Sequence, residues 1–201
     1  MLRLPKMLLV GATGRDAGKT TFVCGLLRHF QYVGTAAVKV TVIRERNGGC
    51  PRGGTGCGVC SSVHEGYVLT EELSNTGGKD THRMLASGAG RVFWLRTFVN
   101  SIEEGLSALQ QRVGPDTPLI CESNTLRTVV VPGLFLMVTN GNSSGIKESA
   151  QSVFHHADLV ITSDGTSFEF DCDRIQFTRE GWRLGDRSSF AAPGREEYTR
   201  V

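Results

Sequence analysis

A short apolar run, Met7-Leu8-Leu9-Val10, breaks into a turn holding Gly11, Gly14 and Gly18, and apolar residues return behind Lys19 with the period of a helix. Phe22, Val23, Leu26, Leu27 and Phe30 recur at i, i+1, i+4, i+5 and i+8, which is one helix face, with Arg28 and His29 on the solvent side. A run that is apolar at every position is what a strand buried on both faces of a parallel sheet requires. A strand feeding a glycine turn into a helix restricts the chain to βαβ architecture. It also puts N–H groups without helical partners at the edge of the sheet.

The alternation continues along the chain. Ala36 to Ile43 reads as a second strand, interrupted by Lys39 and Thr41. Asp80 to Ala89 reads as a short helix and Arg91 to Leu95 as a strand. Phe98, Ile102, Leu106, Leu109 and Val113 form a helix face that ends at Gly114-Pro115. Leu119-Ile120-Cys121 and Leu134 to Val138 are buried strands, Ile146, Ala150 and Val153 mark a helix, and Leu159-Val160-Ile161 closes the series. This spacing predicts an α/β domain with a mainly parallel sheet over residues 1–165, its functional groups at the C-terminal ends of the strands. Residues 44–66, rich in cysteine and glycine and without period, read as an insertion. Phe168-Glu-Phe-Asp and Ile175-Gln-Phe-Thr alternate and predict a C-terminal hairpin within 166–190, with 191–201 as a tail.

Composition narrows the function. Of 201 residues, 22 are Lys or Arg and 20 Asp or Glu, a net charge of +2, which excludes a polybasic nucleic-acid wrapper and an acidic tail protein. A 39% hydrophobic content is enough to build a core. No apolar run approaches the ~20 residues of a membrane span. Arg3 and Lys6 precede no secretory apolar region of usual length, so a cytoplasmic protein is expected, with neither membrane nor nucleic acid as partner. In that compartment the 6 cysteines read as thiols or metal ligands before disulfides.

A nucleoside triphosphate needs many N–H donors and positive charge without side-chain bulk, and the turn Gly11-Ala-Thr-Gly14-Arg15-Asp16-Ala17-Gly18-Lys19-Thr20-Thr21 supplies both. The amides from Gly14 to Thr20 are expected to cradle the β-phosphate, with Thr21 in the same first helical turn. Lys19 is expected to bridge β and γ oxygens and Thr20 to ligate Mg²⁺. The usual phosphate-loop spacing has a glycine six residues before the lysine, where this chain has Thr13, so the first half of the turn is expected to follow its own path.

Hydrolysis or phosphoryl transfer also needs an acid at a strand end to hold the Mg²⁺ shell. Glu122, after Leu119-Ile-Cys, has that position. Asp80 has two readings, a second acid of the metal shell or the N-cap of the helix behind it. Asn140 also has two, a contact to the nucleotide base or a turn asparagine. Arg15 is a candidate activating arginine.

Three segments carry a family resemblance: Gly18-Lys19-Thr20-Thr21, then Gly77-Gly-Lys-Asp80-Thr-His-Arg-Met-Leu-Ala-Ser-Gly-Ala89, then a strand ending in Cys121-Glu122-Ser-Asn124. Together they resemble the MobB family (molybdopterin-guanine dinucleotide biosynthesis protein B) over roughly residues 6–161. The resemblance implies a three-layer P-loop NTPase fold, GTP binding, Mg²⁺ and a role in maturing the molybdenum cofactor beside the nucleotidyltransferase that makes the dinucleotide. It also implies a homodimer as one possible assembly. The chain departs from the family at Ser123, where the family has glycine, in a longer phosphate loop, and in the inserted residues 48–62. ATP in place of GTP, and a place among metal-maturation NTPases or ATP-dependent ligases of the dethiobiotin synthetase type, remain open.

The insertion has chemistry of its own. Cys50, Cys57 and Cys60 fall within eleven residues and are followed by His64. The two-residue gap of Cys57 and Cys60 lets both sulfurs converge on one metal. Cys50, Cys57, Cys60 and His64 would complete a Zn²⁺ site; three cysteines with an outside ligand such as Cys172 would instead hold an iron–sulfur cluster. A redox dithiol and inert thiols are the other readings. Cys24 and Cys121 read as buried small hydrophobes, and His155-His156 as a poor metal pair whose rings point to different faces.

Two functions are therefore expected. One is a nucleotide-dependent accessory protein, slow in Mg²⁺-dependent hydrolysis, whose loops around Lys19, Asp80 and Glu122 dock a cofactor-synthesis or metalloenzyme-maturation partner. The other is a ligase or kinase acting on a small molecule. A regulatory metal-binding protein with a vestigial phosphate loop is a third.

Overall fold

The computed structural model describes residues 1–43, 62–64, 66–140 and 145–185. Its elements run β1 (Leu2–Ala12), α1 (Lys19–His29), β2 (Ala36–Ile43), β3 (Tyr67–Glu72), α2 (Asp80–Ala86), β4 (Arg91–Phe98) and α3 (Ile102–Val113). After these come β5 (Leu119–Glu122), β6 (Val130–Asn140), α4 (Glu148–Gln151), β7 (Leu159–Ser163), β8 (Ile175–Thr178) and β9 (Gly181–Leu184). Seven strands form one sheet in the order β3-β4-β2-β5-β1-β6-β7, while β8 and β9 pair separately. Every pairing in the large sheet is parallel except β3 with β4.

The apolar runs form this sheet because both of its faces are covered. Leu8, Val10, Ala37, Ile120, Leu136 and Val138 pack beneath Phe22, Val23, Leu26, Leu27 and Phe30 of α1 and Met84 of α2. The intervening residues, Met7, Leu9, Val38, Cys121, Phe135 and Met137, turn to the other face and meet Ile102, Leu106 and Leu109 of α3 and Val153. The result is three layers, helix, sheet and helix. By the same alternation Lys39 and Glu122, paired across β2 and β5, emerge on the α1 face.

Connections leave β1 toward β2 on one side, whereas those after β6 lead to β7 on the other. The chain ends of β1, β5 and β6 therefore diverge at the C-terminal edge of the sheet, the usual position of a ligand crevice in an open α/β sheet.

Several boundaries differ from the sequence reading. Phe98 ends β4 instead of opening a helix: it pairs with Ile43, and its amide donates to the Gly66 carbonyl at 3.0 Å. The helix at Asp80 stops at Ala86, because Gly88 turns left-handed at φ 93. Tyr67–Glu72 is an antiparallel edge strand, pinned by Arg91 and Arg112, whose hydrogen bonds hold the Glu71 carboxyl down at about 2. His155 and His156 lie in a 3₁₀ turn, and their rings come within 3.9 Å of each other rather than pointing apart.

The C-terminal hairpin exists, with different partners from those expected. It joins Ile175–Thr178 to Gly181–Leu184, while Phe168 and Phe170 lie against Phe22 of α1, ring centroids 5.0 and 5.9 Å away. Trp182 decides this. It is 2% exposed, stacks edge-on to Phe30 at 4.9 Å, and donates from Nε1 to the Lys6 carbonyl at 2.9 Å. The hairpin thus joins the α1-side core.

Where the hairpin meets β1, Gly133 and Gly181 both close on Pro5, and a Cβ at either would collide with the Pro5 carbonyl. Backbone cannot yield as a flexible side chain does. Gly133→Ala is expected to cost about 3 kcal/mol by overpacking, read as a lower denaturant midpoint at unchanged slope. Gly78→Ala, with nothing within 4 Å, is the control and should stay within about 0.5 kcal/mol of wild type. A wild-type midpoint for Gly133→Ala would contradict this packing.

Candidate functional site

Two neighbours fix the end of β1. The Asn124 side chain accepts from the Ala12 amide at 2.8 Å and donates to the Ala12 carbonyl at 2.9 Å. The Thr13 amide donates to the Val138 carbonyl at 2.9 Å, and its own carbonyl accepts from the Lys147 amide at 2.8 Å. From there the chain reverses through two left-handed residues, Asp16 at φ 57 and Gly18 at φ 80. Asp16 is the only non-glycine with positive φ among the described residues, and such a conformation must be held by its surroundings.

Those surroundings include the C-terminal segment. A Cβ on Gly18 would stand 3.1 Å from the Phe168 ring and from Ser163 Oγ, so this position needs glycine on steric as well as torsional grounds. Phe168 is positioned by a tight turn at Asp164, whose carboxylate accepts from the amides of Thr166 and Ser167 at 2.8 and 2.7 Å. These bonds hold the Asp164 carboxyl down at about 2.

Helix α1 begins here with its first internal bond, Phe22 N–H to the Gly18 carbonyl at 2.8 Å. Its start carries no side-chain cap and no acid in the first turn. The amides of Lys19, Thr20 and Thr21 have no acceptor within the helix, and no acid of the helix's own first turn faces the positive end of the dipole. A helix end of this kind attracts an anion.

Opposite it stands Glu122, its side chain 6% exposed. One oxygen accepts from Thr20 Oγ1 at 2.9 Å, and the other lies 3.5 Å from Lys19 Nζ. The hydroxyl and carboxylate are hard oxygen donors of the kind Mg²⁺ takes. Ser123, beside them, donates its amide to the Val10 carbonyl at 3.1 Å and accepts from the Leu126 amide at 3.2 Å, starting the turn that leads to β6.

Asp80 is not the N-cap of α2. The N-cap position belongs to Lys79, and Asp80, one residue inside α2, gives its carboxylate to Lys39. Lys39 in turn is paired with Glu122 across β2 and β5, so a lysine stands between the strand bearing one acid and the helix bearing the other.

A pocket of about 220 Å³ opens beside the turn. Its lining comes from the turn (Gly14, Lys19), from β2 (Lys39 to Val42), from the end of β1 (Ala12), from the end of β5 with the residues behind it (Glu122 to Thr125), and from Lys147 and Ser149. Three lysines and one glutamate line it, with Lys39 paired to Asp80. Arg15 and Asp16 are exposed on the rim side of the turn, and Ala17 is buried. Asn140 ends β6 opposite Ser163 and is not one of the wall residues.

Cys50, Cys57 and Cys60 lie outside the described residues, as do the remainder of the 44–61 segment and the 191–201 tail. His64 is exposed. Among the described residues, no group of three or more His, Cys, Asp or Glu side chains is arranged to hold a metal ion. Cys24 and Cys121 are buried in the core, and burial pushes the Cys121 thiol well up. Cys172 is half-buried against the α1-side core, its thiol pushed up to about 11, first by burial and then by Asp171 and Asp173. Among the described residues no helix is long and apolar enough to cross a membrane.

Lys39, Thr41, Lys147 and Ser149 are polar lining residues that sequence reasoning did not single out as functional. Lys39 did leave a signal, a charge inside an otherwise apolar strand. Lys147 and Ser149 left none, because they reach the pocket only through the bond from the Lys147 amide to Thr13 and the Asn124 contact with Ser149 at 3.4 Å. Compared with family models, curated proteins and solved structures, the chain matches none of them.

Proposed function

We propose that this chain binds a nucleoside triphosphate, GTP or ATP, on the turn between β1 and α1 and hydrolyses it slowly with Mg²⁺, as a MobB-like P-loop accessory protein in molybdenum cofactor or metalloenzyme maturation. One observation carries the reading. The N-terminus of α1 has no side-chain cap, and in its first turn Lys19 and Thr20 converge on the buried Glu122.

In this reading the β-phosphate rests on the amides of Gly14 to Thr20, and Lys19 exchanges its 3.5 Å pairing with Glu122 for the more highly charged phosphate oxygens. Thr20 Oγ1 and the Glu122 carboxylate fit Mg²⁺, which when bound neutralises charge on the β and γ oxygens. Asp80 is held by Lys39 and contributes through that pair. Slow turnover is the expectation in this reading, with Arg15 on the turn as the candidate activating arginine. A maturation partner would read the nucleotide state from the segments around Lys19, Asp80 and Glu122.

A second reading, a small-molecule ligase or kinase of the dethiobiotin synthetase type, is favoured by the lysine-lined pocket beside the turn. Phosphate release from MgGTP and MgATP, with and without a panel of small carboxylic acids, separates the two. Acid-independent release, on the order of 10⁻³ to 10⁻² s⁻¹ and abolished by chelating Mg²⁺, is expected for the accessory protein. Release only with one acid would move the activity to the second reading. Failure to bind or consume either nucleotide would remove both.

A further inference from the structure

We infer that Arg127, with His155 and His156 beside it, forms a separate anion site on the face of the sheet away from α1, and that this site takes one phosphate group. The site does not depend on the triphosphate reading. Arg127 lies in the 3₁₀ turn Thr125–Thr128 that leads from β5 to β6. That turn is fixed from within. The Arg127 amide donates to the Asn124 carbonyl at 3.1 Å, Thr128 Oγ1 donates to the Thr125 carbonyl at 2.7 Å, and Leu126 is fully buried.

Arg127 is only 9% exposed, and a guanidinium so buried is ordinarily matched by a carboxylate, because an unpaired charge is costly to take out of water. Among the described residues Arg127 forms no ion pair. Its Nη1 donates to the Val130 carbonyl at 3.0 Å, and its Nε is buried without a partner. A neutral carbonyl satisfies one donor and leaves the charge uncompensated. The neighbouring groups are basic as well. Leu126 and Val130 share a core with Val153, against which Phe154 and Ala157 pack, so the 3₁₀ turn Phe154–His156 lies on the same side of the sheet. The rings of His155 and His156 lie 3.9 Å apart. His156 is held below its ordinary value by burial first, then by the charges of Arg127 and His155, and no acid acts on it. Asp158, close by in the chain, has its carboxylate on the Phe135 amide at 2.7 Å. His155 is exposed and His156 half-buried, which opens the cluster to solvent. A phosphate group supplies both a counter-charge and several acceptors, and guanidinium and imidazole N–H groups suit its oxygens.

The test follows the imidazole resonances of His155 and His156 by NMR while inorganic phosphate, and separately glycerol phosphate, is added to the full chain at constant pH and ionic strength. Both resonances are expected to move and to saturate with a Kd of about 1 mM or tighter. His29, beside Asp173 at 3.4 Å, should not respond. Lys19→Ala should leave the titration unchanged, which separates this site from the turn between β1 and α1. Arg127→Gln should weaken binding by about tenfold or more. If that variant fails to fold, His156→Ala takes its place, and the His155 response should then lose its saturation. Tighter binding of inorganic phosphate assigns the free ion, and tighter binding of glycerol phosphate a phosphomonoester. No saturable shift below about 20 mM, a shift indifferent to both Arg127→Gln and His156→Ala, or one lost with Lys19→Ala would overturn the inference. Failure of the protein to bind a nucleotide would remove the triphosphate reading and leave this titration as it stands.

Discussion

Lys19→Ala is expected to weaken binding of a non-hydrolysable GTP or ATP analogue by about 30- to 140-fold, the equivalent of about 2–3 kcal/mol for a lost charge-assisted contact. The fold should tolerate it, because the Lys19 side chain is 25% exposed and makes one long pairing with Glu122. The loss has two parts. The phosphates lose their ammonium partner, and the buried Glu122 carboxylate, without the cation 3.5 Å away, repels them. Calorimetric titration of variant and wild type reads the difference directly. Equal, weak affinity in both would make the turn a structural feature and the phosphate loop vestigial.

Glu122→Gln separates binding from chemistry. The amide keeps the volume of the carboxylate and an oxygen to accept from Thr20 Oγ1 at 2.9 Å, so nucleotide affinity should stay within about threefold or tighten as a negative charge disappears. Mg²⁺ loses its anionic anchor, and Mg²⁺-dependent phosphate release is expected to fall about 100-fold, the scale on which removing one electrostatic group acts. Unchanged release would move the metal's acid elsewhere, with Asp80 as the next candidate once freed from Lys39.

How much of this was legible depended on burial. Ala36–Ile43 could be read to the residue because it pairs on both sides within the sheet, and such a strand is apolar almost throughout. Lys19, Thr20 and Glu122 were legible for a related reason: a helix start and a strand end on neighbouring strands meet wherever βαβ units repeat. Tyr67–Glu72 escaped notice as a strand because it lies on the edge with no fully buried residue, held instead by Arg91 and Arg112 on Glu71. The hairpin was placed one segment too early. Phe168 and Phe170 alternate like a strand but are spent on Phe22, and it is Trp182, fitting between Phe30 and Phe177, that selects the true partner. Lys147 could not be found by pattern at all, since a backbone bond to Thr13 brings it to the pocket.

The Asp80–Lys39 pair shows a similar limit. Local sequence allowed a helix cap or a metal ligand; the cap falls to Lys79, and a lysine 41 positions earlier in the chain holds the carboxylate. Long-range pairings of this kind leave no local trace. They become visible only once β2 and α2 share a face of the sheet.

The most direct measurement is a structure of the chain with Mg²⁺ and a non-hydrolysable nucleoside triphosphate analogue. The account predicts the β-phosphate within about 3 Å of amides between Gly14 and Thr20, with Lys19 Nζ turned from Glu122 onto the phosphates. A nucleotide bound elsewhere, or those amides closed on the protein's own carbonyls with Lys19 still on Glu122, would contradict it.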